Sequence, residues 1–429
     1  MPQSLISTRL ANAHPSVLSA YCIVASFGTY FCMYAFRKPF TAGTFETVAI
    51  GDVGYKTVLI GSQVAGYALS KYLGIRFVSE MTASRRAAAI LALIGVAEAA
   101  LFFFAIVPPP YNFPLLFVNG LPLGMVFGLV IAFLEGRQVT EALAAGLCAS
   151  FIVSSGVVKS VGRIVIVDWN VSEYWMPFTT GLLFIVPMAA FVWMLNQIPP
   201  PSETDVSHRS KRTPMDRQAR QAFFARHTIG LIGLLATYAL LTVMRSIRDD
   251  FAVEIWRDLG EENQPTIFSK SETLVMFGVV AINGAAISIR SNRSAFLTSL
   301  WFVAFGFALV LATLLGYSQG WLTAFPFMVL IGVGMYIPYV IFHTTLFERL
   351  IAVFRESGNI GYLIYLADTA GYASYILVML AVSYSTADTN FLTLYLTSSL
   401  LIATVSIAVT MWLIRHYRMR LDCTPNRTF

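Results

Sequence analysis

Charge is what this chain has least of. Only 12% of its 429 residues are Asp, Glu, Lys or Arg, against 57% hydrophobic, and mean hydropathy is +0.68. Soluble domains carry about 25% charged residues, so the composition excludes that class. Cysteine is scarce as well. Cys22, Cys32, Cys148 and Cys423 form no CxxC pair, and three of them sit in apolar stretches, where a thiol behaves as a small hydrophobe. No disulfide framework, metal site or cofactor is expected. The chain also lacks HExxH, GxSxG and a glycine-rich phosphate loop. Without a nucleophile, base and oxyanion set, an enzyme is disfavoured. No small-residue cleavage site follows the first apolar run, which therefore reads as an uncleaved helix. Long polar stretches are missing everywhere except 199–226. That segment opens with Pro199-Pro200-Pro201 and continues with mixed charge, as a solvated linker should.

What the chain has in excess is apolar runs of about 20 residues, long enough to span a bilayer as helices. Twelve can be marked, from about 17–40 to about 391–414. Isolated strands are excluded, because backbone polar groups must be satisfied within lipid. The expectation is an all-α membrane protein of twelve transmembrane helices in two six-helix repeats. The first repeat is 1–198, the linker 199–226 and the second repeat 227–429.

Internal echoes support the duplication. Thr29-Tyr30 is followed seven residues after the Tyr by Arg37; Thr237-Tyr238 is followed at the same spacing by Arg245, an offset of 208. Gly124-Met125 with Gly128 and Val130-Ile131 parallels Gly334-Met335 with Pro338 and Val340-Ile341, an offset of 210. The two offsets agree to within two residues. Parallel six-helix repeats joined by a cytoplasmic loop are the architecture of the major facilitator superfamily, whose halves rock around a midplane site.

The net charge of +6 has a membrane explanation. With the N-terminus inside, the cytoplasmic segments collect Arg9, Arg76, Arg85, Arg86, Arg137, Arg290, Arg293, Arg349, Arg355, Arg415, Arg418, Arg420 and Arg427, with Arg209, Lys211, Arg212, Arg217, Arg220 and Arg226 in the linker region. Both termini are thus expected in the cytoplasm of a bacterial inner membrane. Nucleic-acid binding is an unnecessary reading of the same basicity. The expected partners are a small anionic solute and the lipid bilayer, with the chain a monomer.

At Tyr34-Ala35-Phe36-Arg37-Lys38-Pro39-Phe40 the chain resembles the organophosphate:phosphate antiporter branch of that superfamily. The resemblance continues at Gly66-Tyr67-Ala68-Leu69-Ser70-Lys71-Tyr72-Leu73-Gly74, at Arg245 with Asp250, and at Ile331-Gly332 with Tyr336 and Pro338. It implies that Arg37 and Arg245 hold a phosphate, since a guanidinium fork makes paired bonds to phosphate oxygens. It also implies substrate roles for Lys38, Lys71, Tyr30, Tyr34, Tyr67 and Tyr336, and charge balance or coupling by Asp250 and Glu272. Two departures stand out. The family's histidine in the fifth span has no counterpart, Ala149 or Ser150 taking its place, and Asp368 interrupts the eleventh span.

Each residue also has a plainer explanation. Arg37 sits near the outer end of its run and could snorkel to headgroups. Arg245 is followed by Arg248, Asp249 and Asp250, which suits a local ion-pair cluster. Lys71 and Lys159 could be end-of-helix anchors, and His343 and Glu98 structural. Asp368 is harder to explain as structure, because a buried carboxylate must pair, with a cavity lysine for example, or be protonated. The leading expectation is a secondary transporter of an anionic, phosphorylated metabolite working by alternating access in exchange for inorganic phosphate. The alternatives are a proton-coupled symporter or efflux carrier and, from another class, a membrane ligand sensor.

Overall fold

Apolar runs that must satisfy their own backbone in lipid become helices, and almost all of this chain is helical. The computed structural model describes residues 5–51, 53–79, 81–134, 140–200, 217–261, 264–287, 289, 291–354, 360–383 and 390–422. The core of the expected linker, 201–216, and Arg137, Arg290, Arg355, Cys423 and Arg427 lie outside the described residues.

The elements in chain order begin with α1 (Leu5–Ala11) and α2 (Pro15–Tyr34), then a 3-10 turn (Pro39–Ala42) and a small antiparallel pair, β1 (Ala49–Ile50) and β2 (Val53–Gly54). Next come α3 (Tyr55–Ser79), α4 (Ala83–Ile106), α5 (Phe113–Leu134), α6 (Thr140–Val167) and α7 (Met176–Asn196). The second half has α8 (Arg217–Asp250), the short α9 (Ala252–Asp258), α10 (Ile267–Ile287), α11 (Asn292–Ser318) and α12 (Ala324–Ile341). A π-helical segment (Phe342–Leu346) joins α12 to α13 (Phe347–Phe354), and α14 (Ile360–Ser383) and α15 (Phe391–Asp422) complete the chain.

Among the described residues, twelve helices have 18 residues or more, one for each apolar run. Ten are long and apolar enough to cross a membrane. The other two are α3, with Lys56, Lys71 and Arg76, and α10, with Lys270 and Glu272. Three local features differ from the sequence reading. The first run ends at Tyr34 rather than near residue 40, so Arg37 and Lys38 lie in the turn ahead of Pro39. A proline is poorly compatible with a helix at the residue before it. Helix α8 begins about ten residues before its apolar run, with polar turns that hydropathy does not register. The tenth run does not stop at residue 346 but passes through the π segment into α13.

The chain groups into two compact units. The first is Met1–Ser210 with Asp249–Leu274 and Ile376–Phe391; the second is Lys211–Arg248 with Val275–Tyr375 and Leu392–Phe429. Within the first, α5 packs on α3 and α4, while α2 packs on α6 and α7. Glycine sets the closest approach. A Cβ on Gly120 would drive into the Gln63 carbonyl, and one on Gly66 into the Phe117 carbonyl, so α3 and α5 meet backbone to backbone. Within the second unit, α12 packs on α11, where a Cβ on Gly306 would lie 2.5 Å from the Gly334 carbonyl oxygen and 2.6 Å from Pro338 Cδ. Cys22, Cys32 and Cys148 are buried.

The α3–α5 crossing yields a first prediction. Gly120→Val must push two backbones apart and should cost about 1–3 kcal/mol, the usual penalty of overpacking. Gly95 has open space where a Cβ would go, so Gly95→Val is the matched control. Thermal unfolding in detergent should place the Gly120 variant several degrees below the Gly95 variant. Equal midpoints would refute close packing at Gly120.

Candidate functional site

Five of the residues singled out in the sequence come together in the first unit. Helix α2 carries Tyr30 and Tyr34 one turn apart, and the turn after it carries Arg37; α3 carries Tyr67 and Lys71, again one turn apart. The Arg37 guanidinium carbon lies 3.7 Å from the centre of the Tyr67 ring and 5.9 Å from that of Tyr34. Lys71 Nζ is 5.3 Å from the Tyr67 ring and 5.2 Å from that of Phe127. Tyr30 closes the cluster, edge-on to Tyr34 and Phe127 and tilted against Phe151. Arg37 is 5% exposed, which rules out snorkelling to the surface.

The sequence did not point to the residues that hold Arg37 in place. Gln63 Nε2 donates to the Arg37 carbonyl at 2.6 Å and to Asn119 Oδ1 at 2.8 Å. Asn119 Nδ2 donates in turn to the carbonyls of Phe36 and Ala97. These amides satisfy backbone acceptors of the non-helical turn, which burial would otherwise penalise. Gly120, beside Asn119, lets α5 come close enough to do so. A buried Asn followed by Gly in an apolar run was the available signal.

Lys38, next in sequence, has a different environment. Its ammonium pairs with Asp249 at 2.7 Å and with Asp250. Lys159 pairs with the other Asp249 oxygen, which also accepts from Ser155 Oγ. Far from anchoring a helix end in water, Lys159 is 2% exposed. Lys56 Nζ binds both carboxylate oxygens of Glu254, at 2.6 and 2.8 Å, and the Thr41 carbonyl. Arg257 and Glu46 add a more exposed pair at 2.5 Å. Glu272 packs against Gly156 of α6, where a Cβ would lie 2.6 Å from its Cγ. All of these residues belong to the first unit.

In the second unit, Arg245 stacks over Tyr339 with 4.7 Å between guanidinium carbon and ring centre. Tyr336 meets the same ring edge-on. Arg248 donates to the Met328 carbonyl at 3.0 Å, close against Gly332. Asp368 takes the Tyr238 hydroxyl at 2.6 Å and lies 3.7 Å from His343 Nε2. A tyrosine and a histidine are thus among its partners. Tyr339, which the sequence reading passed over, lies three residues after Tyr336 and so on the same helix face.

Over residues 39–420 the chain matches DUF5690, a family of unknown function. The chain belongs to that family. Among the curated proteins none matches it. Among solved structures, a crystal structure of the nucleoside transporter NupG is similar, with a TM-score of 0.60 and 15% identity over 93% of this chain and 99% of that one. An Asp-to-Ala variant of NupG gives 0.57 and 16% over the same shares. At such identities the likeness is one of fold: a nearly all-helical chain with ten helices, among the described residues, long and apolar enough to cross a membrane.

The lysine–aspartate network supplies a second prediction. Asp249→Asn leaves Lys38 and Lys159 short of charge in a buried setting and should cost about 3–5 kcal/mol. The double variant Lys159→Met/Asp249→Asn retains the Lys38–Asp250 pair and should be less destabilised than Asp249→Asn alone. Unfolding of the four proteins of this cycle measures the coupling; additive costs would refute the network.

Proposed function

We propose that this chain is a secondary transporter that moves a small anionic organic solute across a membrane by alternating access. The observation that carries this reading is the buried cluster of Arg37 and Lys71 among Tyr30, Tyr34 and Tyr67. Stacking engages the face of a guanidinium, while its planar fork is suited to paired bonds with carboxylate or phosphate oxygens. Arg245 over Tyr339, with Tyr336, supplies the same chemistry within the second unit. Within the first unit we assign Arg37 and Lys71, and within the second Arg245, to anion recognition, and the tyrosines of each unit to hydroxyl donation and ring packing. Lys38, Lys159, Asp249 and Asp250 are assigned to charge balance. Exchange for inorganic phosphate follows, because a site built for a phosphorylated solute also accepts phosphate. The arginine-rich segments favour both termini in the cytoplasm, and a bacterial inner membrane is part of this reading.

A nucleoside is the second reading. It is favoured by the fold shared with a nucleoside transporter and by the ring-rich cluster of Tyr30, Tyr34, Tyr67, Phe127 and Phe151, on which a base can stack. A neutral nucleoside does not need two buried arginines, which is why the anion is preferred.

Proteoliposomes loaded with labelled phosphate separate these readings. External phosphate or an organophosphate should drive label out, and Arg37→Lys or Arg245→Lys should slow exit at least about tenfold, since an ammonium lacks the fork. Labelled uridine that exchanges at equal rates in wild type and both arginine variants would replace the anion with a nucleoside. A solute that binds without crossing would leave a ligand sensor.

A further inference from the structure

The exposed face of α15 changes character along its length. Leu401, Val405, Ala408 and Trp412 recur every three or four residues and so form one stripe of the helix surface, which continues into Arg415 and Arg418. From Leu401 to Trp412 the apolar part of the stripe runs about 16 Å, about half the hydrocarbon thickness of a bilayer. The arginines therefore stand where the headgroups of one leaflet begin, and tryptophan marks that level, as is usual at a membrane interface. Beside this stripe, α11 exposes Trp301 and Phe305. The Arg418 guanidinium carbon lies 5.9 Å from the centre of the Trp301 ring.

The two helices run antiparallel here, with Arg293 paired to Asp422 and the Phe296 and Tyr417 rings edge-on at 4.9 Å. Helical side chains lean toward the N-terminus of their own helix. Trp301 thus leans toward the paired helix ends, and Arg418 away from them, toward the lipid. An arginine that only sought water would reach the other way. The neighbouring charges are otherwise engaged. Asp422 is taken up by Arg293, and Arg420 lies against His227 and the Arg226 carbonyl. Among the described residues neither Arg415 nor Arg418 has an ion pair or a hydrogen bond. Nor does the repeat impose a cationic end, since α7, the sixth long helix of the first repeat, has no basic residue in its last turn.

We propose that this face of α11 and α15 binds one anionic phospholipid, its phosphate held by Arg415 and Arg418 and an acyl chain laid along Phe305, Val405 and Leu401. A guanidinium offers paired bonds to phosphate oxygens, and one stacked on an indole keeps its net charge for them. Charge complementarity selects the class of headgroup. Two cations with no carboxylate between them call for net negative charge, whereas a zwitterionic headgroup brings an ammonium that they repel. The apolar stripe selects a lipid over free phosphate, which would leave it uncovered. A second copy of the chain docking symmetrically would set these arginines against their own copies. The site uses none of the residues assigned to the solute, so it stands whatever the solute is. Bound lipid bridges α11 and α15 and stabilises their contact.

Native mass spectra of the full chain in detergent, titrated with phosphatidylglycerol or with phosphatidylcholine of the same acyl chains, count the bound lipid. Phosphatidylglycerol should bind about thirtyfold more tightly, about fivefold from each arginine. Arg415→Gln and Arg418→Gln should each lose about fivefold, and the double variant should treat the two lipids alike. Trp301→Leu, which leaves the charge in place, should weaken phosphatidylglycerol about two- to fivefold. Arg85→Gln, which removes an exposed arginine from the first turn of α4, should bind as wild type does. Phosphatidylglycerol should raise the unfolding midpoint of wild type more than that of the double variant; the single variants, altered at exposed positions, decide the matter if the double variant does not fold. Equal affinity of wild type for the two lipids, or a preference that survives loss of both arginines, would overturn the site. So would displacement of the lipid by inorganic phosphate at matched ionic strength, which would leave a free-phosphate site, or a lipid-free dimer, which would put a second copy on this face.

Discussion

A charge in a low-dielectric interior must meet an opposite charge, a polar acceptor or the face of an aromatic ring, and the arrangement of this protein follows from how its buried cations do so. Lys38, Lys56 and Lys159 take the first solution, against Asp249, Asp250 and Glu254. Arg248 takes the second, at the Met328 carbonyl. Arg37, Lys71 and Arg245 use the third at least in part, over Tyr67, Phe127 and Tyr339. The solutions differ in what they leave for chemistry. An ammonium between two carboxylates has its charge neutralised where it stands. A stacked guanidinium gains about 0.5–2 kcal/mol from the ring quadrupole and keeps its net charge. In the function proposed above, the ion pairs hold structure and the stacked cations meet the solute.

Those stacked cations need a rigid frame, and the frame comes from small residues. Without Cβ atoms at Gly66 and Gly120, α3 and α5 meet closely enough for Gln63 and Asn119 to bind the turn that carries Arg37. The turn is non-helical because Pro39 interrupts the run, so its carbonyls would be left without partners in an apolar setting. One proline places Arg37 off the helix, and two amides fix it there. In the second unit Arg245 needs no such support, because it lies within the continuous helix α8.

The fold was largely legible. Helices in lipid must be long and apolar, so hydropathy alone located twelve, and the echoes around Arg37/Arg245 and Gly124/Gly334 supported the repeat. The first-unit cluster was legible in part, because Tyr30 and Tyr34, like Tyr67 and Lys71, are spaced one helical turn apart and so share a face. Lys56 with Glu254 was not, since the partners are 198 residues apart and no local pattern connects them. The π segment at His343 was equally hidden: no residue of Phe342–Leu346 marks a break from the helix before it, and backbone geometry distinguishes the two. The pairing of Lys38 with Asp249 and Asp250 was hidden for the same reason as that of Lys56, the partners lying more than 200 residues apart.

The two arginines of the repeat show what duplication retained. Arg37 stacks on a tyrosine of the second run and Arg245 on a tyrosine of the tenth. The ring partners therefore do not occupy equivalent positions of the two repeats, although the cations do. If packing alone had to be satisfied, a duplicated arginine could have kept a duplicated neighbour, or given way to leucine. Instead a guanidinium over a phenol ring has been assembled twice from different helices. Replacing buried ionic groups with apolar side chains is often neutral or stabilising. That alternative is why we propose that the arginine of each half serves a bound solute rather than packing.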